Sequence, residues 1–460
     1  MGKWRARRCR LPMLRITLAA MKSYFGGFIM SSIGTALAKT PSQPFGTYCN
    51  QPRLIQAMEA RGLDGMVITN PLNVYYLSGF NSIAHKSDEP RPYAVVISRH
   101  APEQPIMVIA DYYLSTLAAL QGPITDIRPF RAVMMPMDLP PTAADIERFI
   151  DQPTAAQNWI SGARENYRFD MKSALLGALS SVGLKTGRIG FDDLGFGLRL
   201  RLDGVDAADA YDAMMFARAV KTPAEMQLLQ QATALNEAAI ERSRADWTPG
   251  ITWREMDRIY AGHVNDLGGF VRDPGGMVWG HPRGADSALV LSTGNDNTPI
   301  EAGTHVMFDC HGTTALYCWD GGKTWVVDDE PQGLAKQLDG ATQRVAETML
   351  AAMKPGARIS ELQALGRQTY RQCGVADGDQ AIIFFHGLGL SHMDIETTTA
   401  DGQANADWCL EAGMVVPLHL LYPGSAQERL WLEEVVAIES DGGRPLFSWG
   451  FAAQTGGGRA

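Results

Sequence analysis

Asp309 and Asp320 stand eleven residues apart in FDCHGTTALYCWDGGKTW, on either side of a Gly-, Thr- and aromatic-containing stretch. His386 follows in FFHGLGLSH, His419 in MVVPLHL and Glu433 in WLEEVVAI. Carboxylates and imidazoles are the oxygen and nitrogen donors that hold one or two divalent first-row metals, Mn, Fe, Co or Zn. His419 and Glu433 sit in otherwise apolar runs, and burying either without a partner costs on the order of several kcal/mol. A metal or a charged hydrogen bond offsets that cost, so the two belong to a site.

Two further histidines lie near this set. His311 is two residues beyond Asp309, which puts it on the same face if the strand continues that far, as an additional ligand or a compensating base. His392 lies beyond the GLGL turn after His386. With His419 it is a general-base candidate, since imidazoles titrate near neutrality. Gly387 and Gly389 are read as letting backbone approach a ligand closely.

The elements that must position these residues alternate between helices and short apolar strands, an α/β (α+β) arrangement. A helix is expected over 53–61 and a buried strand over 65–69, with further strands at 93–97, 105–110 and 188–192 and a helix over 171–181. Tyr75, Tyr76 and Phe80 line a ligand cleft or pack in the core. Thr222-Pro223-Ala224-Glu225 is a helix start with N-cap Thr, Pro at N1 and Glu at N3, and Thr252 with Glu255 is a second capping box. Apolar runs at 288–292 and 304–308 flank the turn Gly294-Asn297, and Asp309 ends the second run. A bent antiparallel pair then presents Asp309 and Asp320 to one point. The strand 381–385 leads into His386, and strands 414–420 and 430–436 carry His419 and Glu433.

At 460 residues the chain is long for one core, and two domains are expected. We divide it as a signal-like or disordered extension over 1–45, an N-terminal domain over 46–210, a catalytic domain over 215–450 and a flexible tail over 451–460. A formal charge of -9, with no basic stripe after the N-terminus, disfavours a nucleic-acid binder. The six cysteines are irregularly spaced without a CxxC, which fits a reducing, cytoplasmic compartment. The basic run of Arg5, Arg7, Arg8, Arg10 and Arg15, followed by a weakly apolar stretch, leaves export by a signal-like segment as the alternative. No apolar span long enough for a membrane helix occurs elsewhere.

These residues together resemble the creatinase and aminopeptidase P superfamily of pita-bread metallopeptidases over about residues 50–445. NVYYLSGF at 73–80 is similar to the hallmark of that family's N-terminal domain. KTPAEMQLLQQATALNEAAI is similar to the helix opening its catalytic domain, and LEAGMVV at 410–416 to the turn before its last strands. The resemblance implies five metal ligands in the order Asp, Asp, His, Glu, Glu. Asp309, Asp320, His386 and Glu433 match four positions, and His419 stands where the fourth in order is a Glu. The segment after the second aspartate reads Gly321-Gly322-Lys323-Thr324 in place of a Thr-Arg-Thr type sequence.

HGLGLSHMD is one residue shorter than the peptidase pattern. In this it resembles a dimethylsulfoniopropionate lyase of the superfamily, with His392 where that enzyme has a catalytic aspartate. His281 corresponds to a substrate-binding histidine of the family. The resemblance thus implies a metal-dependent hydrolase of a small amide or C–N bond, Xaa-Pro dipeptidase-like, acting on a dipeptide-like or other small molecule as a homodimer. Its catalytic residues are then His392, His281 and His419. A related lyase, or a metal-free creatinase-like or non-catalytic binding protein, are the alternatives.

Overall fold

The computed structural model describes residues 48–82, 92–132, 146–271, 278–281, 292–293, 296–422 and 429–457. The signal-like segment 1–45 and most of the run 288–292 lie outside the described residues. Helices span Gln51–Ala60 and Met171–Ser181, and strands Gly65–Ile68 (β1), Tyr93–Ser98 (β2), Ala101–Ala110 (β3), Asp126–Phe130 (β4), Gly187–Phe191 (β5) and Val205–Asp209 (β6); all but β4 and β6 are expected from the sequence. They form a six-stranded sheet in the order β4-β3-β2-β1-β5-β6. The β1–β5 and β5–β6 pairs are parallel, and the β1–β2 and β2–β3 pairs antiparallel.

NVYYLSGF forms most of the helix Pro71–Ser78, which Asn70 caps by accepting from Leu72 N. Its aromatics are core residues: Tyr76 and Phe80 are buried, and Phe80 packs edge-on against Tyr93 and Tyr113. Core packing therefore takes these side chains.

The second half is built on an eight-stranded sheet among the described residues. Its strands are Val278–His281 (β8), Ser292–Thr293 (β9), His305–Phe308 (β10), Gly322–Val326 (β13), Ile382–Phe385 (β14), Val415–Tyr422 (β15), Leu430–Ile438 (β16) and Gly443–Pro445 (β17). Strands Phe270–Val271 (β7), Gly312–Thr314 (β11) and Tyr317–Trp319 (β12) make a small separate sheet. The two turns into helices behave as their sequences dictate. Thr222 and Thr252 each complete a capping box, opening helices Pro223–Ala245 and Trp253–Asp266. Ser292 and Thr293 of β9 pair with β8; β10 lies between β8 and β13, antiparallel to both.

Side-chain alternation decides which face is chemical. Leu418, Leu420, Leu432, Val436 and Ile383 pack with the helices Leu334–Ala352 and Ile359–Gln372 in one apolar cluster. Val306, Phe308 and Trp325 pack with Trp253, Met256 and Tyr260 in another. Successive residues of a strand point to opposite faces, so His419 and Glu433 are turned away from the helices. In the register they stand directly opposite each other, as do Phe384 and His419.

The two halves are joined by a buried polar clamp. Arg218 donates through Nη1 to Asn73 Oδ1 (2.8 Å) and through Nη2 to Ser391 Oγ (2.8 Å) and to the Asp394 carboxylate. Asn73 in turn donates to Asp192 Oδ2 (3.0 Å) on the N-terminal sheet. Lys221 lies 3.7 Å from the other Asp394 oxygen.

Candidate metal centre

Asp320 is placed by the chain around it. Trp319 Nε1 donates to Tyr260 Oη (3.0 Å), Tyr260 Oη to Asn236 Oδ1 (2.8 Å), and Asn236 Nδ2 to the Gly321 carbonyl (3.0 Å). Gly321 has φ +82°, and a Cβ there would come within 2.8 Å of Glu433 Cγ. A side chain at 321 would thus push Glu433 off the centre. The expected bent pair exists: Asp309 follows β10, Asp320 precedes β13, and β10 and β13 are hydrogen-bonded neighbours.

His386 follows β14, and the next residues fold back on themselves. Leu388 N donates to Val415 O (2.9 Å), Cys318 N to Gly389 O (2.8 Å) and Asp394 N to Gly387 O (3.1 Å). A Cβ on Gly389 would lie 2.0 Å from Asp394 Oδ2, and one on Gly387 2.4 Å from Asp394 O. These glycines therefore make room for Asp394 of their own loop, which corrects the reading that they admit a ligand.

The residues converge. His311 Nδ1 is 2.9 Å from Asp320 Oδ1, and its Nε2 is 3.4 Å from Asp309 Oδ1. His392 Nε2 is 2.7 Å and His386 Nε2 3.4 Å from Asp320 Oδ2. His419 Nε2 is 2.8 Å and His386 Nε2 4.0 Å from Glu433 Oε1. Three triads have their donor atoms within 4.8 Å of one another: Asp309, Asp320 and Glu433; His386, His419 and Glu433; and His311, Asp320 and His392. The His419 ring is stacked on Phe384 (centroids 3.8 Å apart) with Trp431 edge-on at 5.4 Å, which fixes its plane. His281 ends β8 opposite His305, and its side chain lies outside the described residues.

Among the buried atoms of this group that make no hydrogen bond are Asp320 Oδ2, His386 Nε2, His392 Nε2 and both Glu433 carboxylate oxygens. Buried donors and acceptors left this way each cost ~1–3 kcal/mol, yet here they face one another across 2.7–4.0 Å. A divalent cation satisfies carboxylates and neutral imidazoles together. The residues present fit such an ion.

The protonation states agree. Burial, then the charges of Asp320 and Asp309, drives the Glu433 carboxyl well above its ordinary value. Burial opposes the charged form of His311, but Asp309 and Asp320 outweigh it and push its pKa up to about 10. Burial lowers His386, and lowers His419 further, so both imidazoles are neutral near pH 7. Glu433 and His311 therefore hold protons in the ion-free protein that ligation must displace. Ion affinity is expected to weaken as pH falls, with proton release on binding at pH 7. Calorimetric titration in two buffers of different ionisation enthalpy checks this; buffer-independent heats would contradict it.

Sequence reasoning missed the Arg218–Asp394 clamp and the Asn236–Tyr260–Trp319 chain. The second had a signal: Asn236 falls at the helical spacing of Leu229, Ala232 and Ile240, all buried, and a polar residue on that face needs a partner. Nothing local marks Arg218, whose partners are more than 140 residues away in sequence.

Residues 227–441 match metallopeptidase family M24, and residues 51–199 match the creatinase/prolidase N-terminal domain. A probable Xaa-Pro aminopeptidase of Chaetomium globosum is 24% identical over 219 residues, which is 44% of this chain and 35% of that protein. The chain thus matches about a third of the length of that relative. The Xaa-Pro dipeptidase from Bacillus anthracis has a similar fold, with a TM-score of 0.62 and 17% identity over 88% of this chain and 99% of that one. Dipeptidase PepE from Mycobacterium ulcerans gives a TM-score of 0.60 and 19% identity, covering 88% and 96%.

Proposed function

Because this chain belongs to the M24 metallopeptidase and creatinase superfamily, whose metal-dependent hydrolases share its pita-bread domain, we propose that it hydrolyses a small amide or C–N bond in a dipeptide-like substrate. Xaa-Pro peptides are the nearest substrate class. The observation that carries this reading is the convergence of Asp309, Asp320 and His386, at the ends of neighbouring strands, with His419 and Glu433 within β15 and β16. These five would hold the ion or ions. The chemistry a divalent ion supplies in such a donor set is polarisation of the scissile carbonyl and activation of water.

The chain's own side chains shape the rest. Phe384 (38% exposed) and Ile382 (45% exposed) lie on the same edge strand as the approach to His386. Together with Trp431 they make an apolar wall beside His419 that excludes water from one side of the centre and fits an apolar substrate side chain. The imidazole of His419 puts one negative charge fewer at the centre than a glutamate would, which favours a neutral or anionic substrate group there. The described cysteines are all free, which supports a cytoplasmic setting, and no described helix is long and apolar enough to cross a membrane.

The test is a metal-supplemented screen of Xaa-Pro dipeptides, cyclic amidines and sulfonium acids in heavy-oxygen water, read by mass spectrometry. Hydrolysis puts the heavy oxygen into one product. Cleavage without label would overturn this reading in favour of elimination.

A further inference from the structure

We infer that His311, Asp320 and His392 form an additional ion site, a third triad that shares Asp320 with the centre but does not depend on Glu433. The inference rests on the reading of the centre as metal-holding, and adds two residues to the five that would hold ions there.

Both oxygens of the Asp320 carboxylate are faced by a different imidazole, Oδ1 by His311 Nδ1 at 2.9 Å and Oδ2 by His392 Nε2 at 2.7 Å. The two rings are 4.8 Å apart between centroids. Asp320 is fully buried, and neither its Oδ2 nor His392 Nε2 makes a hydrogen bond despite their separation. A cation would take up Asp320 Oδ2 and His392 Nε2, which have no hydrogen bond, with His311 as its third donor once the His311 proton is displaced; the three residues offer donor atoms within 4.8 Å of one another. The His311 and His392 side chains are 21% and 40% exposed, which gives an ion a route in from solvent. Asp309 Oδ1, 3.4 Å from His311 Nε2, is the remaining charged neighbour on this side.

Two imidazoles and one carboxylate suit borderline ions such as Zn²⁺, Co²⁺ or Fe²⁺ better than Mg²⁺ or Ca²⁺, which prefer all-oxygen shells. His392 then holds an ion in place of the acid–base role expected of it from the sequence.

Glu433 belongs to both of the other triads, so Glu433→Gln damages them and leaves this one whole. Full-length Glu433→Gln protein is titrated with Zn²⁺ alone, and with Co²⁺ alone by visible absorption. It is expected to bind about one equivalent, and adding His311→Ala and His392→Ala is expected to weaken that binding at least about 100-fold. The His311→Ala/His392→Ala pair in the otherwise unaltered chain, expected to lose about one equivalent of zinc and keep the remainder, gives the same reading if Glu433→Gln fails to fold. Circular dichroism melts establish which variants fold. Folded Glu433→Gln without ion, beside an unaltered chain that binds one, overturns the third site; so does binding that survives loss of both histidines. An unaltered chain that binds no ion overturns the metal reading as well.

Discussion

Asp320→Ala is expected to strip the centre of most of its ion and to lower turnover by roughly 10³-fold, about 4 kcal/mol of transition-state stabilisation. No other residue is placed as this one is. Its carboxylate is fully buried, and three imidazoles, His311, His386 and His392, lie within 3.4 Å of it. It is a member of two of the three donor triads. Burial works against its charge, but His311 and His392 hold the carboxyl well below the ordinary aspartate range, so it is ionised throughout the working pH range and needs no deprotonation to take a cation. The fold should survive the substitution. The carbonyl of Gly321 stays tied to Asn236, and removal of one carboxylate relieves the crowding that raises Glu433. Metal analysis and steady-state kinetics on folded protein check the expectation; unchanged metal content would refute the role given to Asp320.

Arg218→Met is the second large effect, and it acts on stability. The Arg218 and Asp394 side chains are 2% and 0% exposed. Met fills much of the space but leaves a buried carboxylate with only Lys221 at 3.7 Å as a positive neighbour. Removing one member of such a pair costs ~3–5 kcal/mol, a fall in Tm of roughly 5 °C for a chain of this size. Asp394→Asn in the Arg218→Met background should restore at least half of the loss. The amide oxygen still accepts from one of the two backbone N–H groups, Leu390 N at the Oδ2 position or Ser391 N at the Oδ1 position, while the uncompensated charge is gone. Arg218→Met alone should also loosen the loop between His386 and Asp394 and reduce turnover. Thermal melts of the two single variants and the double variant decide the matter, and additive losses would contradict a charge-pair origin.

Legibility in the sequence followed the range of the forces involved. Capping boxes at Thr222 and Thr252 and the strands carrying His386, His419 and Glu433 were readable because capping and two-residue alternation are local. The burial of His419 and Glu433 was readable because a charged or imidazole side chain in an apolar run has few affordable fates. The meaning of Gly387 and Gly389 was not, since what fills the space beside them is Asp394, brought there by a turn whose geometry no spacing specifies. The pairing of β9 with β8 was hidden for the same reason: strand order in a sheet is set by distant partners. Arg218 lies next to a readable motif, but its value comes from Asn73, Ser391 and Asp394, which only the folded chain assembles. The strand ends at Phe308 and does not reach His311, so the His311 contact with both aspartates comes from the turn into β11 and not from the alternation expected of a continuing strand; the approach of His392 to Asp320 depended on the backfolded loop.

The most direct measurement is the metal content of the purified, full-length chain by elemental mass spectrometry, before and after incubation with Mn²⁺, Fe²⁺, Co²⁺ or Zn²⁺ and removal of excess. A centre built from these residues predicts at least about half an equivalent of a first-row divalent ion per chain as isolated, rising on incubation. A chain that holds none, and takes up none from any of the four, would contradict it.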